Sequence, residues 1–152
     1  EKRVILPHLV HTIEEEFPLA KKSNNPTITN LLNGLARFLE GEEVSFDLEL
    51  VNLGLCSDFQ KKVLIAEYGI PRGSISTYMR IARHIGKPLA ARAVGNALAS
   101  NPFPLIIPCH RAVRSDGSLG GYQGGLEMKK RLLEMEGVRI NKNRVDMKKL
   151  FY

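Results

Sequence analysis

Three consecutive side chains in this sequence could do chemistry together: Cys109, His110 and Arg111. A thiolate is a soft nucleophile, an imidazole takes up a proton near neutral pH, and a guanidinium is a permanent cation. They close the stretch Asn101-Pro102-Phe103-Pro104-Leu105-Ile106-Ile107-Pro108-Cys109-His110-Arg111, in which three prolines fix φ and remove backbone donors. The stretch therefore reads as stiff and extended, with Leu105 to Ile107 as a buried apolar run leading into the thiol. A nucleophile at the end of a rigid buried segment, beside a proton acceptor, fits a reaction centre. A structural cysteine packed in a core, the commoner fate of an isolated thiol, fits the same residues. On these three side chains alone both readings stand.

The elements that must position them emerge from periodicity and punctuation. Residues 1–25 hold two short apolar stretches (Val4 to Leu6, Leu9 to Ile13), the acidic run Glu14 to Glu16 and a polar loop. From Pro26 the spacing of Ile28, Leu31, Leu32, Leu35 and Phe38 predicts a helix with one buried face, closed at Gly41. Residues 44–55 alternate at Phe46, Leu48 and Leu50 and predict a strand or extended linker, with a domain boundary near Leu55. Residues 59–69 predict a helix burying Phe59, Val63 and Ala66, and residues 69–73 a glycine-flanked turn. Ser76 or Thr77 would cap a helix from Tyr78 to Ile85, and a turn at Gly86-Lys87-Pro88 leads into an alanine-rich helix from Leu89 to Ala99. Two short helices about a glycine turn have the shape of a helix-turn-helix, and equally of any helical hairpin. Arg92 is a long cation among Ala90, Ala91, Ala93, Ala97 and Ala99; small neighbours suit either a nucleic-acid groove or tight helix packing. Beyond Cys109 come a hairpin-like turn (Arg114 to Ser118) and the glycine cluster 120–125, which lacks the Gly-Lys-Ser/Thr of a phosphate loop. A last helix, Leu126 to Glu136, carries Met128, Leu132 and Met135 on one face and stops at Gly137. The basic tail to Tyr152 reads as partly mobile.

Composition bounds the partners. The 152 residues, 43% hydrophobic and 25% charged, suit one ordinary domain or two small ones. No apolar run approaches the ~20 residues that span a bilayer. No signal peptide is evident, and the start at Glu1 without methionine points to a trimmed upstream piece. Cys56 and Cys109 are the only cysteines, which argues for reduced thiols in the cytoplasm and for no Cys-rich metal site. Residues 1–55 hold five Lys/Arg against nine Asp/Glu, a net −4; residues 56–152 hold seventeen against seven, a net +10, summing to the overall +6. A polyanion such as nucleic acid would meet the second part, although an ordinary solvated surface has the same count.

Residues 59–137 resemble the C-terminal domain of the O6-alkylguanine-DNA alkyltransferases, the methylated-DNA–protein-cysteine methyltransferases. The resemblance rests on Pro108-Cys109-His110-Arg111, preceded by Asn101-Pro102 and followed by Gly121-Tyr122-Gln123-Gly124-Gly125-Leu126. Ile70-Pro71-Arg72-Gly73, Thr77-Tyr78 and Ala91-Arg92-Ala93-Val94-Gly95 fall in the family's order and spacing, and Phe38-Leu39-Glu40-Gly41 and Phe46-Asp47-Leu48 match its approach to the domain. The fold implied is α+β: an α/β N-terminal domain over 1–55, then a mainly helical domain over 56–152 with a winged-helix-like helix-turn-helix.

The activity implied is single-turnover repair, in which Cys109 irreversibly takes the alkyl group from O6-alkylguanine in duplex DNA. His110, through a water, would receive the thiol proton, Glu136 would orient the imidazole, and Tyr78 would assist the leaving guanine and crowd the DNA backbone. Arg92 would fill the stack behind the flipped base, with Ala91 and Arg111 also at the DNA. Asn101 would act as hinge, and Pro108, Tyr122, Gln123 and Gly124 would line the guanine pocket. The resemblance implies no cofactor, no membrane and a monomer. Some relatives bind zinc near the N-terminus, but His8 and His11 have no cysteine nearby, so no metal is expected. Gln123 and Ala112 depart from commoner choices and leave the tolerated alkyl size open; Cys56 lies outside the signature and reads as packing. Non-transferring relatives replace the cysteine, usually with tryptophan, whereas Cys109 is intact and the chain has no tryptophan. An oxidation-sensing regulator would instead prefer one DNA sequence, and a cysteine hydrolase would turn over.

Overall fold

The computed structural model describes residues 25–152. The expectations for residues 1–24, including the first part of the N-terminal domain and His8 and His11, lie outside them. Helix α1 (Pro26–Leu39) has proline in its first turn, where a missing N–H costs nothing, and Asn25 Oδ1 accepts from Thr27 N (2.8 Å). Its predicted apolar face is buried only at Phe38; Ile28, Leu32 and Leu39 are exposed. Phe38 is fixed by rings on either side, Phe46 at 6.1 Å and His110 at 6.2 Å between centroids. Residues 34–152 form one compact unit.

Residues 48–55 form two 3-10 turns, Leu48–Leu50 and Leu53–Leu55, where alternation suggests a strand. The reason is local: Asp47 Oδ1 accepts from Glu49 N (2.9 Å) and Asn52 Oδ1 from Gly54 N (3.0 Å). Such side-chain bonds compete with a sheet ladder and favour turns. Residues 41–46, just ahead of these turns, are tied to the C-terminal end of the next helix and the loop after it. Tyr68 Oη donates to Phe46 O (2.5 Å) and Arg72 Nη2 to Gly41 O (2.8 Å).

Helix α2 (Asp58–Tyr68) is capped by Ser57 and buries Val63, Leu64, Ala66 and Glu67. After the turn at Gly73, strand β1 (Ser76–Thr77) pairs in parallel with β2 (Ala112–Val113), Ser76 opposite Ala112 and Thr77 opposite Val113. This short ladder matters more than its length suggests. It joins the residue before Tyr78 to the residues just after the Cys109–Arg111 turn. Helix α3 (Tyr78–His84) starts on the Thr77 cap, whose Oγ1 accepts from Arg80 N (3.2 Å). Helix α4 (Ala91–Ala99) begins two residues later than its alanine pattern suggests, leaving Leu89 fully exposed in the connection. Helices α2, α3 and α4 pack mutually around Val63, Ile81, Val94 and Leu98, so the two-helix unit is present with α2 as its support.

Helix α5 (Gly125–Met135) buries Lys129, Leu132 and Leu133 and ends at Gly137 with φ +81°. The tail is not loose. Strands β3 (Ile140–Asn141) and β4 (Arg144–Val145) form an antiparallel hairpin whose turn residues Lys142 and Asn143 both have positive φ. Such values give the twist a two-residue hairpin needs. The chain then runs beside Ile75, which donates to Lys149 O (3.1 Å) and accepts from Phe151 N (2.8 Å). Tyr152 Oη donates to Ala66 O (2.7 Å). Backbone pairing and a buried Val145 anchor a segment whose composition alone suggests mobility. The described residues are helical with two small sheets, in keeping with the α+β class.

Candidate active site

The proline-rich stretch is bent where its prolines predict extension. Leu105 takes φ +72°, Pro104 bridges Ile107, and Ile107 N donates to Phe103 O (2.9 Å), so the chain doubles back before Pro108. Of the apolar run only Ile107 is buried; Leu105 and Ile106 are half-buried. Asn101 holds both ends of this bend: its Nδ2 donates to Ile107 O (3.1 Å) and its Oδ1 accepts from Phe103 N (2.9 Å). A 3-10 turn, Cys109–Arg111, comes next and buries Cys109 and His110. Burial pushes the Cys109 thiol up to about 11, with the Asn101 side chain and the Lys129 ammonium pulling the other way. The resting sulfur is therefore a thiol, and attack requires a base.

That base is arranged by charge. Burial would raise Glu136, but hydrogen bonds from His110 and Arg111 hold its carboxyl down at about 2. A carboxylate only accepts, so His110 Nε2 carries the hydrogen and donates to Oε1 (2.9 Å). Burial also lowers His110, more than Glu136 raises it, and keeps the ring neutral. Its Nδ1 is then a free lone pair, fully buried and without a hydrogen-bond partner among the described residues. Arg111 clamps the same carboxylate from Nε (2.9 Å) and Nη2 (2.8 Å) and gives Nη1 to Ile70 O (2.5 Å). The resemblance implies Arg111 at the DNA; what the structure shows of it is its ion pair. Its guanidinium is committed to Glu136, with only 11% of the side chain exposed. Gly73, at φ +73°, lets the Glu136 backbone approach: a Cβ there would meet Glu136 O at 2.9 Å.

Tyr78 opens α3 and reaches the glycine cluster, where a Cβ on Gly120 would collide with its hydroxyl oxygen. Glycine is the residue that admits the phenol there. Burial pushes Tyr78 up to about 12 and Tyr122 higher still, so both hydroxyls are donors at neutral pH. Tyr122 stands edge-on to His110, 6.4 Å between centroids, and lines a surface cavity with Arg114, Gly121, Leu126 and Lys130. Pro108 lines a second cavity, with Phe38, Phe46 and Arg111. Gln123 is exposed and donates from Nε2 to Ala99 O (2.7 Å), tying the glycine cluster to the end of α4; Gly124 makes room for Tyr122 and Met128. Arg92 is exposed in the first turn of α4 and Ala91 half-buried.

Two buried groups escape a reading of the sequence. Lys129 is wholly buried and donates to Ala112 O (2.6 Å) and Gly121 O (3.2 Å), with its ammonium 5.9 Å from the centre of the Tyr78 ring. Glu67 is wholly buried near the end of α2. A signal for both is present: Lys129 precedes Leu132 and Leu133 by three and four positions, and Glu67 comes four after Val63. A charge on a buried stripe is informative in a way that a charge on a solvated face is not.

Residues 58–138, more than half of the chain, match the family model described as the 6-O-methylguanine DNA methyltransferase DNA-binding domain. A methylated-DNA–protein-cysteine methyltransferase of Methanothermobacter thermautotrophicus is 51% identical over 113 residues, covering 74% of this chain. The match covers 63% of that relative's length. The crystal structure of Mycobacterium tuberculosis OGT in complex with DNA is similar at TM-score 0.64 and 40% identity, over 70% of this chain and 64% of that one. The S. pombe Atl1 structure, in complex with damaged DNA containing O6-carboxymethylguanine, is similar at TM-score 0.57 and 32% identity, over 62% of this chain and 95% of that one.

Proposed function

This chain belongs to the 6-O-methylguanine DNA methyltransferase family, and from that membership we propose that Cys109 takes the alkyl group from O6-alkylguanine in duplex DNA and keeps it. The observation that carries the reading is the buried sequence of groups leading to Cys109: Arg111 and Glu136 fix the His110 tautomer, and His110, next in the chain to the cysteine, keeps a buried Nδ1 without a partner among the described residues. Through a bridging water that nitrogen takes the thiol proton. The sulfur forms a bond to the alkyl carbon as the carbon–O6 bond breaks, and the electron pair leaves on guanine. The Tyr78 hydroxyl donates a proton to the guanine and recovers one from solvent, while His110 releases the proton it took. The net change is thiol to thioether and alkylguanine to guanine. No step regenerates the thiol, so each chain acts once.

A base in a duplex must leave the stack to reach a buried sulfur, at a cost of a few kcal/mol. Arg92, exposed on α4, replaces it in the stack. Tyr122 with the Gln123 and Gly124 backbone receives the base, and Asn101 holds the cysteine segment in register with α4. Reduced thiols and DNA as partner support activity in the cytoplasm, with one chain per lesion. Among the described residues no helix is long and apolar enough to cross a membrane.

Mass spectrometry after incubation with excess O6-methylguanine DNA should show one added methyl per chain, on the Cys109 peptide. Repeated demethylation per chain, or a cleared lesion with unmodified Cys109, rejects the proposal. Arg92→Ala should slow transfer from duplex DNA by about tenfold to a hundredfold while changing reaction with free O6-benzylguanine by less than about twofold. Equal losses on both substrates would remove Arg92 from the flipping step.

A further inference from the structure

Helices α2 and α5 both pack against the Cys109–Arg111 turn, and each sends one charged side chain into the interior. Glu67 and Lys129 are both wholly buried. Lys129 is committed to the Ala112 and Gly121 carbonyls, and neither Glu67 oxygen has a hydrogen-bond partner among the described residues. A carboxyl sealed into a core without a well-formed hydrogen bond is tolerated as the neutral acid and resists ionisation. An apolar side chain at this position would fill the same space without that liability. The carboxyl therefore calls for an explanation in the chemistry beside it.

We propose that Glu67 is a positioning residue for the transfer step: an internal acid that keeps its proton while the Cys109 sulfur is an anion, because this pocket accommodates one negative charge and not two. The proposal rests on Cys109 being the alkyl acceptor. The groups facing Glu67 are Lys129 from α5, Cys109 and Arg111 from the 3-10 turn, Tyr78 from α3 and Tyr152 from the C-terminal segment. Burial pushes Glu67 up to about 8, against the opposing pull of Lys129, Arg111 and the Ala112 amide. Once ionised it raises Cys109, Tyr78 and Tyr152, and it acts on Cys109 more strongly than Lys129 does in the other direction. Lys129, pushed down to about 8 by burial, loses its charge over the same interval. Below about pH 8 the thiolate forms beside a neutral acid and a cation. Above it the Glu67 carboxylate opposes the thiolate, so alkaline pH gains less reactivity than an isolated thiol would.

The test uses iodoacetamide on the full chain from about pH 6.5 to about pH 10, with peptide mass spectrometry separating Cys109 from Cys56. In the wild type the Cys109 rate should climb tenfold per pH unit and then bend near pH 8. In Glu67→Gln the bend should shrink to the part that Lys129 contributes, so that the variant-to-wild-type ratio grows about tenfold between roughly pH 7 and 9.5, equivalent to one pKa unit of coupling. A ratio constant with pH overturns the proposal, since a merely structural residue would shift rates in parallel. If the glutamine variant does not fold, Glu67→Met is read the same way, and an unbroken tenfold-per-unit climb in the wild type is itself a refutation. Iodoacetamide needs no guanine, so this result and the methyl-transfer assay can fail separately.

Discussion

Cys109→Ser should bind duplex DNA containing O6-methylguanine as the wild type does, yet transfer alkyl at least about a thousandfold more slowly. The two side chains are nearly the same size, and Cys109 is 4% exposed in a packed cluster, so the pocket survives the change with a cost of about 1 kcal/mol for the buried hydroxyl. What is lost is the nucleophile. A thiol at about 11 can still yield thiolate to a neighbouring base, whereas a serine hydroxyl is a far weaker acid and its oxygen a much poorer nucleophile toward an alkyl carbon. Band-shift titration and lesion removal measured on one preparation check both halves. A serine variant that removed the alkyl group at a comparable rate would take the reaction away from the sulfur. A variant that no longer bound DNA would show that Cys109 holds the interface and not only the chemistry.

The reach of sequence reasoning tracks the range of the forces involved. Thr77 announces a helix start because a cap is a bond between near neighbours, and α3 begins where that cap predicts it. Of the strand or extended linker read for residues 44–55, the strand is lost for a related reason: alternation at Phe46, Leu48 and Leu50 is overruled by Asp47 and Asn52 bonding their own backbone. Pairings across the chain are invisible. Nothing in Lys149 to Tyr152 says that this segment will lie beside Ile75, and nothing in Arg111 says that Glu136 will claim it. The site residues near Cys109 are named through resemblance. The geometry adds what resemblance omits, namely that Arg111 belongs to the charge network and that Glu67 and Lys129 are buried beside the thiol.

The interaction with the largest expected effect on stability is the one that orients the base. Glu136→Ala would leave the Arg111 guanidinium, with 11% of its side chain exposed, holding only the Ile70 carbonyl, and would strand the His110 Nε2 hydrogen in a fully buried place. Removing one partner of a buried ion pair typically costs about 3–5 kcal/mol, the range expected here. Glu136→Gln is a sharper probe, because its amide oxygen can accept from His110 while its NH2 must face the donors of Arg111. The pH dependence has a definite sign. A carboxyl near 2 when folded and 4.5 when unfolded contributes its stability in full above about pH 4.5 and loses it as pH falls through about 2. The difference corresponds to about 3 kcal/mol. Denaturant melts across that acid range should therefore show the wild type losing more stability than Glu136→Gln by roughly this amount. Parallel acid dependence in the two proteins would mean that the carboxylate is not what His110 and Arg111 are folded around. At neutral pH the glutamine variant should also transfer alkyl slowly, because an amide no longer dictates which imidazole nitrogen carries the hydrogen, and a ring with hydrogen on Nδ1 has no lone pair to offer the thiol.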